Sequence, residues 1–280
     1  MKPAPRPKQS RLALGPEAEP QFAGGNFLKG IRLRREAVPS FENYPFNIPA
    51  VRTLDRLALH PAVTFFIGEN GSGKSTLLEA IAVQLGFNAE GGSRDHQVST
   101  HPTHSILHDF IQVERTMGNR ATDGWFLRAE SFYNLATEVD LAEEESRSGP
   151  PFRAYGGRSL HGQSHGESFL ALLTNRLQGG GIYLFDEPEA ALSPQRQLSV
   201  LPLLHRLVYH RSQLVIATHS PILLAYPHAR ILEFGEQGIR EIAYADTEHF
   251  RITKDFLNRP ERMLELLLGD EEADLKAKAR

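Results

Sequence analysis

Ala62-Val63-Thr64-Phe65-Phe66-Ile67-Gly68-Glu69-Asn70-Gly71-Ser72-Gly73-Lys74-Ser75-Thr76 is the stretch on which the fold turns. A short apolar run ends at a glycine, as a buried parallel strand does. From Lys74 onward, Leu77, Leu78, Ile81, Ala82 and Leu85 recur at helical spacing, and Gly86 stands where a C-cap belongs. Strand, glycine-rich turn and helix is the setting a P-loop requires. Gly68 and Gly73 let the chain wrap back so that successive backbone N–H groups of Gly68, Glu69, Asn70, Gly71, Ser72, Gly73 and Lys74 can face phosphate oxygens. The helix that follows presents its positive end to the same charge, with Ser75 and Thr76 in its first turn. Lys74 is placed to reach the β- and γ-phosphates, and the Ser75 hydroxyl to bind Mg²⁺. A chance glycine turn is the alternative, and the flanking strand and helix argue against it.

Two further stretches gain meaning from this one. Ile182-Tyr183-Leu184-Phe185-Asp186-Glu187 is an apolar strand ending in two acids. A P-loop needs a carboxylate at the end of a neighbouring strand for its metal, which Asp186 supplies. Glu187 is then placed to orient and deprotonate an attacking water. Val215-Ile216-Ala217-Thr218-His219-Ser220-Pro221 ends another apolar strand, and His219 stands where sheets of this class present ligand-contacting groups.

Around these the chain alternates strand and helix. Strands are expected over 27–34, 125–127, 182–185, 214–218 and 230–234, and helices over 74–85, 167–178 and 194–210, with Pro202 expected to kink the last. The pattern predicts an α/β fold with a mainly parallel central sheet covered on both faces. Residues 1–25 are rich in proline and basic residues without an apolar run, and read as a disordered lead-in rather than a secretory signal. The main domain is expected over 26–245, with an inserted subdomain at about 88–180 and a helical segment over 246–280. Phe256, Leu257, Leu264, Leu267 and Leu268 share one face of that segment, which is expected to pack on the sheet.

Composition bounds the function. The 280 residues carry a net charge of −3, 40% are hydrophobic and 23% charged, so nothing draws the whole molecule to nucleic acid. The absence of cysteine excludes disulfides and thiol catalysis and fits a cytoplasmic setting. No apolar run is long enough to span a membrane. His101, His104 and His108, with His96 nearby, have helical spacing, but no carboxylate completes a metal set and the surroundings read as a loop. Phe41, Tyr44 and Phe46 could stack on adenine, although core packing is the plainer role.

The order of these motifs resembles the ABC-type ATPases, most closely the soluble RecF/SMC-like branch and small bacterial AAA-type ATPases, over roughly residues 27–234. The resemblance implies a P-loop NTPase fold with antiparallel N-terminal strands and a small helical or loop insertion carrying a signature motif. That signature would be Gln163-Ser164-His165-Gly166-Glu167, opening a helix. In the family this helix end binds the γ-phosphate held by a second subunit, Ser164 through its hydroxyl and Gly166 through its N–H, with Glu167 beside them. Ala191-Leu192-Ser193-Pro194 corresponds to the D-loop, and Glu189 and Ser193 both depart from the transporter pattern. Glu130 is the first choice for the residue that approaches Mg²⁺ from the Gln-loop, and Gln112 the second.

On this resemblance the catalytic residues are Glu187, His219 and Lys74, and the metal ligands are Ser75, Asp186 and Glu130. The expected cofactor is Mg²⁺ with ATP. The chain is expected to hydrolyse ATP, to form a homodimer on binding it, and to act on an unidentified protein or nucleic-acid partner in DNA maintenance or a defence-type system. The alternative is a cytosolic ATPase subunit of a membrane transporter, opposed by the missing Gly-Gly-Gln and by Ser193. A small-molecule kinase is disfavoured by the Asp186–Glu187 pair.

Overall fold

A computed structural model of the chain describes residues 24–93, 105–129, 159 and 164–278. In chain order the strands are β1 (Leu28–Leu33), β2 (Arg56–Ala58), β3 (Val63–Gly68), β4 (Ile111–Arg115), β5 (Asp123–Arg128), β6 (Gly181–Asp186), β7 (Gln213–Ala217), β8 (Ala229–Gly235) and β9 (Gly238–Glu241). The α-helices are α1 (Pro49–Arg52), α2 (Lys74–Gln84), α3 (His165–Ala171), α4 (Pro194–Tyr209), α5 (Glu248–Asn258) and α6 (Pro260–Lys278).

The central sheet has six strands in the order β5-β6-β7-β3-β8-β9. Its first five are parallel and β9 closes the edge as an antiparallel hairpin on β8. A separate antiparallel sheet, β2-β1-β4, lies beside it. The α/β fold with a mainly parallel sheet and antiparallel N-terminal strands is therefore present.

Because side chains alternate along a strand, the buried strands feed two cores. Val63, Phe65 and Ile67 of β3, Tyr183 and Phe185 of β6, and Leu214 and Ile216 of β7 face the core under α3 and α4. Phe66, Leu184, Val215 and Ala217 face the other, shared with α2 and the antiparallel sheet. One buried polar side chain stitches the layers. Gln213 accepts from the N–H groups of Phe27 and Leu28 through Oε1, at 2.8 and 2.7 Å, and donates through Nε2 to the carbonyls of Leu28 and His60.

The structure corrects the expected elements in two places. The helix expected from 167 starts at His165, with Ser164 as N-cap, and gives way after Ala171 to a π-turn over Leu172–Arg176. The C-terminal segment forms two helices, and its apolar face does not pack on the sheet: Leu257 and Leu267 are 70% and 65% exposed. A break is natural at Asn258-Arg259-Pro260, since proline disfavours helical backbone in the residue before it. Helix α4 continues through Pro202 to Tyr209. The lead-in over residues 1–23 and much of the 88–180 insertion lie outside the described residues.

Candidate nucleotide site

β3 lies at the centre of the sheet and delivers the glycine-rich turn to its C-terminal edge. The turn needs glycine at two points for different reasons. Gly68 has φ 141°, and a Cβ there would stand 2.3 Å from the Phe234 carbonyl on β8. Gly73, at φ 98°, caps α2 and sits against Ile48. Lys74 is buried and curls back, its Nζ donating to the carbonyls of Gly68 and Glu69 at 2.8 and 2.9 Å. Burial pushes its ammonium below the usual lysine range, while Glu187, Asp186 and Glu189 act in the opposite sense. The ammonium is thereby held at the mouth of the loop.

β6 lies two strands from β3, with β7 between, and its end brings the acids to α2. The Ser75 hydroxyl donates to Asp186 Oδ1 at 2.8 Å, across 111 residues of sequence. A serine oxygen and a carboxylate in contact are the hard oxygen donors Mg²⁺ favours when nucleotide phosphates and water supply the rest of its shell. Among the described residues no group of three His, Cys, Asp or Glu side chains forms a self-sufficient metal site. Glu187 follows in a left-handed conformation (φ 50°, ψ 51°), its N–H bonded to the Ala217 carbonyl at 2.9 Å. For a non-glycine residue that backbone costs about 1–2 kcal/mol, and it sets the carboxylate beyond the strand end. Ser75, Arg128, Asp186, Glu187, Ala190 and Ala191 line a cavity of about 510 Å³.

His219 enters from the end of β7 with Nε2 3.8 Å from Glu187 Oε1. Its position is fixed by Glu189, whose carboxylate accepts from the His219 N–H at 2.5 Å and from Thr218 Oγ1 at 2.7 Å. Burial pushes the Glu189 carboxyl up and these hydrogen bonds pull it down. Ser220 Oγ donates to Gln197 Oε1 at 2.6 Å, and Gln197 Nε2 donates to the Leu192 carbonyl, so the segments after β6 and β7 are braced together. Sequence reading noticed Glu189 only as a departure from a family pattern; its grip on His219 depends on strand pairing that spacing does not reveal.

Two other contributors were also missed. Arg128, at the end of β5 and in register with Asp186, donates to Glu79 Oε2 at 2.7 Å and places Nε 3.6 Å from Asp186 Oδ2. Only the strand order puts this arginine beside the P-loop helix. His249, on α5, brings Nε2 to 3.1 Å from Nδ1 of His219. With Gly68 to Ser72, His219, Arg240 and Glu248, it lines a second cavity of about 680 Å³. The one signal for His249 was a histidine near the start of an amphipathic segment, which is not specific.

Ser164 and Glu167 are exposed at the N-terminus of α3, whereas Gly166 between them is buried against Arg196 and the Ala191 carbonyl. The Ser164 N–H and hydroxyl both donate to Glu167 Oε2, at 3.0 and 2.8 Å, in a capping-box arrangement. Arg196 donates to Ser164 Oγ at 3.0 Å and to Glu167 Oε1 at 3.2 Å. None of the three lines either cavity at the chain's own P-loop. Glu130, Gln163, His96, His101 and His104 lie outside the described residues. Gln112 stands opposite Arg32 in the antiparallel sheet, away from both cavities. Phe46 belongs to the core, whereas Tyr44 is 62% exposed with its hydroxyl 3.5 Å from Thr76 Oγ1, beside the P-loop helix.

Two family models match parts of this chain. Residues 41–140 match a family described as "AAA domain". Residues 155–225 match one described as "AAA domain, putative AbiEii toxin, Type IV TA system". No curated protein matches the chain. Among solved structures the chain is similar to "An inward-facing conformation of a putative metal-chelate type ABC transporter", with 17% identity over 81% of this chain and 88% of that one, TM-score 0.45. It is also similar to the ADP conformation of an ATP-binding cassette of an ABC transporter, at 18% identity over 66% and 81%, TM-score 0.41. The SMC head domain from Thermotoga maritima is similar at 14% identity over 67% and 92%, TM-score 0.37.

Proposed function

We propose that this chain, an ABC-type P-loop ATPase of the RecF/SMC-like branch, is a nucleotide-driven dimerising switch. The observation that carries the reading is the division of the site into two parts. Ser75, Asp186 and Glu187 line one cavity and the P-loop with His219 a second, with Lys74 Nζ held on the loop carbonyls, while Ser164 and Glu167 at the capped end of α3 are exposed and line neither. In this reading Glu167 gives up the Ser164 hydroxyl, and the helix N-terminus takes another anion in its place, the γ-phosphate of ATP held by a second copy.

In this reading the P-loop backbone and Lys74 bind the β- and γ-phosphates. Mg²⁺ held with the nucleotide by Ser75 and Asp186 supplies charge neutralisation. Glu187 orients the attacking water and accepts its proton, and His219 donates to a γ-phosphate oxygen. Ser164 and Gly166 of the partner subunit would close over the phosphate, so hydrolysis removes the group that joins the two copies. Closure and opening are then a shape change for another molecule to read. The toxin-type description of one matching family favours a defence role in the cytoplasm over DNA maintenance. Among the described residues no helix is long and apolar enough to cross a membrane.

Size-exclusion chromatography with bound-nucleotide analysis tests the switch. Glu187→Gln with ATP and Mg²⁺ is expected to elute as a dimer carrying ATP, and Lys74→Ala as a monomer carrying none. A Glu187→Gln protein that retains ATP yet stays monomeric would overturn the shared-site reading.

A further inference from the structure

Helix α5 lies outside the elements that form the P-loop core, yet it places a histidine against the one at the end of β7. His249 Nε2 is 3.1 Å from His219 Nδ1, and the ring centroids are 5.3 Å apart. We propose that His249 is a positioning residue for ATP hydrolysis: its Nε2–H donates to His219 Nδ1, which puts the proton of His219 on Nε2, facing the nucleotide. The inference rests on the reading that His219 contacts the γ-phosphate.

A neutral imidazole has one donor and one acceptor, so the bond at Nδ1 determines what Nε2 can do. Two arrangements satisfy the contact. If His219 donated from Nδ1, its Nε2 would present a lone pair to Glu187 Oε1 at 3.8 Å and to a phosphate oxygen, and both would repel it. If His249 donates, His219 Nε2 carries hydrogen towards both, and both attract it. Among the described residues His219 Nε2 and His249 Nδ1 are both buried without a hydrogen-bond partner, and of the two it is His219 Nε2 that lies beside Glu187.

The surroundings keep both rings neutral, as this scheme needs. Burial pushes each imidazole below its ordinary range, and Lys74 acts in the same sense on both. Glu187 opposes this at His219, as Glu248 and Glu233 do at His249. The bond also holds the His219 ring at a fixed rotation, which the backbone clamp from Glu189 alone would leave free.

The test combines a spectrum with kinetics. In ¹⁵N-histidine-labelled wild-type protein, with the His219 signal assigned by its loss in His219→Gln, the proton of His219 is expected on Nε2. Finding it on Nδ1 overturns the proposal, and that reading is independent of whether the ATP-site assignment holds. His249→Leu is expected to lower kcat roughly tenfold or more with ATP affinity within about twofold, as loss of orientation at the reacting centre does. It should also leave His219 as a mixture of tautomers. His249→Gln keeps an N–H near the position of Nε2 and is expected to recover kcat to within about threefold of wild type. Unchanged kcat in His249→Leu, or equal loss in both variants with melting behaviour unaltered, overturns the positioning role. If Lys74→Ala still binds and hydrolyses ATP, the underlying site reading fails while the tautomer measurement stands.

Discussion

At the scale of single residues, what reads from sequence is the placement of residues carried by contiguous motifs. Lys74, Ser75, Asp186 and Glu187 were legible because each sits at a fixed offset from an apolar strand, and strand ends in a parallel sheet converge on one edge. Residues that act through pairing were not legible. Arg128, Glu189 and His249 reach the site only because β5 flanks β6, the turn after β6 folds under β7, and α5 returns over the P-loop. Gln213 was hidden in the same way, as a polar residue opening an apolar strand. Its replacement by leucine leaves the N–H groups of Phe27 and Leu28 and the carbonyl of Leu28 short of partners. Gln213→Leu is expected to lose about 3 kcal/mol in urea unfolding, on the scale of buried polar groups left unsatisfied. A loss below about 0.5 kcal/mol, the range of an inert surface change, would show that water or backbone shifts replace the bonds.

At the scale of elements, existence and type were read well where periodicity was strong. β3, β6, β7 and α4 fall within a residue or so of expectation, because buried strands leave no choice of residue at either face. Boundaries shifted where side-chain capping sets them: the Ser164–Glu167 pair starts α3 two residues before the expected position. The contact between β7 and α5 carries a pH consequence. The folded values of His219 and His249 are lowered by burial, so below about pH 6.5 the unfolded chain binds more protons than the folded one. The stability these rings contribute is present above that pH and is lost as pH falls through their folded values. Urea midpoints measured at about pH 7.5 and about pH 5.5 should therefore fall on acidification, and fall less in His249→Gln, which has one such ring fewer. An identical fall in both proteins would assign the acid sensitivity elsewhere.

For the whole molecule, the parallel sheet and its two cores were foreseeable from alternation, whereas the fate of the C-terminal helices was not. An apolar helix face is the same string of letters whether it covers a sheet or faces solvent. Leu257 and Leu266 are exposed, so Leu257→Glu with Leu266→Glu is expected to leave the thermal midpoint unchanged within about 2 °C, as surface substitutions do. A large drop in differential scanning fluorimetry would mean that these leucines are buried in solution. The anchoring of α5 adds a mechanical result. Thr247 is buried, donates to the Tyr244 carbonyl and accepts from the Phe250 N–H, so the helix is held firmly at its start. Its far end, at Asn258, lies about 16 Å from that anchor at about 1.5 Å per residue, and His249 only about 3 Å. Pivoting on Thr247, a displacement of about 2 Å at Asn258 moves His249 by about 0.4 Å, enough to stretch its contact with His219 to the edge of hydrogen bonding. Helix α5 is thus a lever whose long arm ends among exposed leucines and whose short arm ends on the contact between His249 and His219.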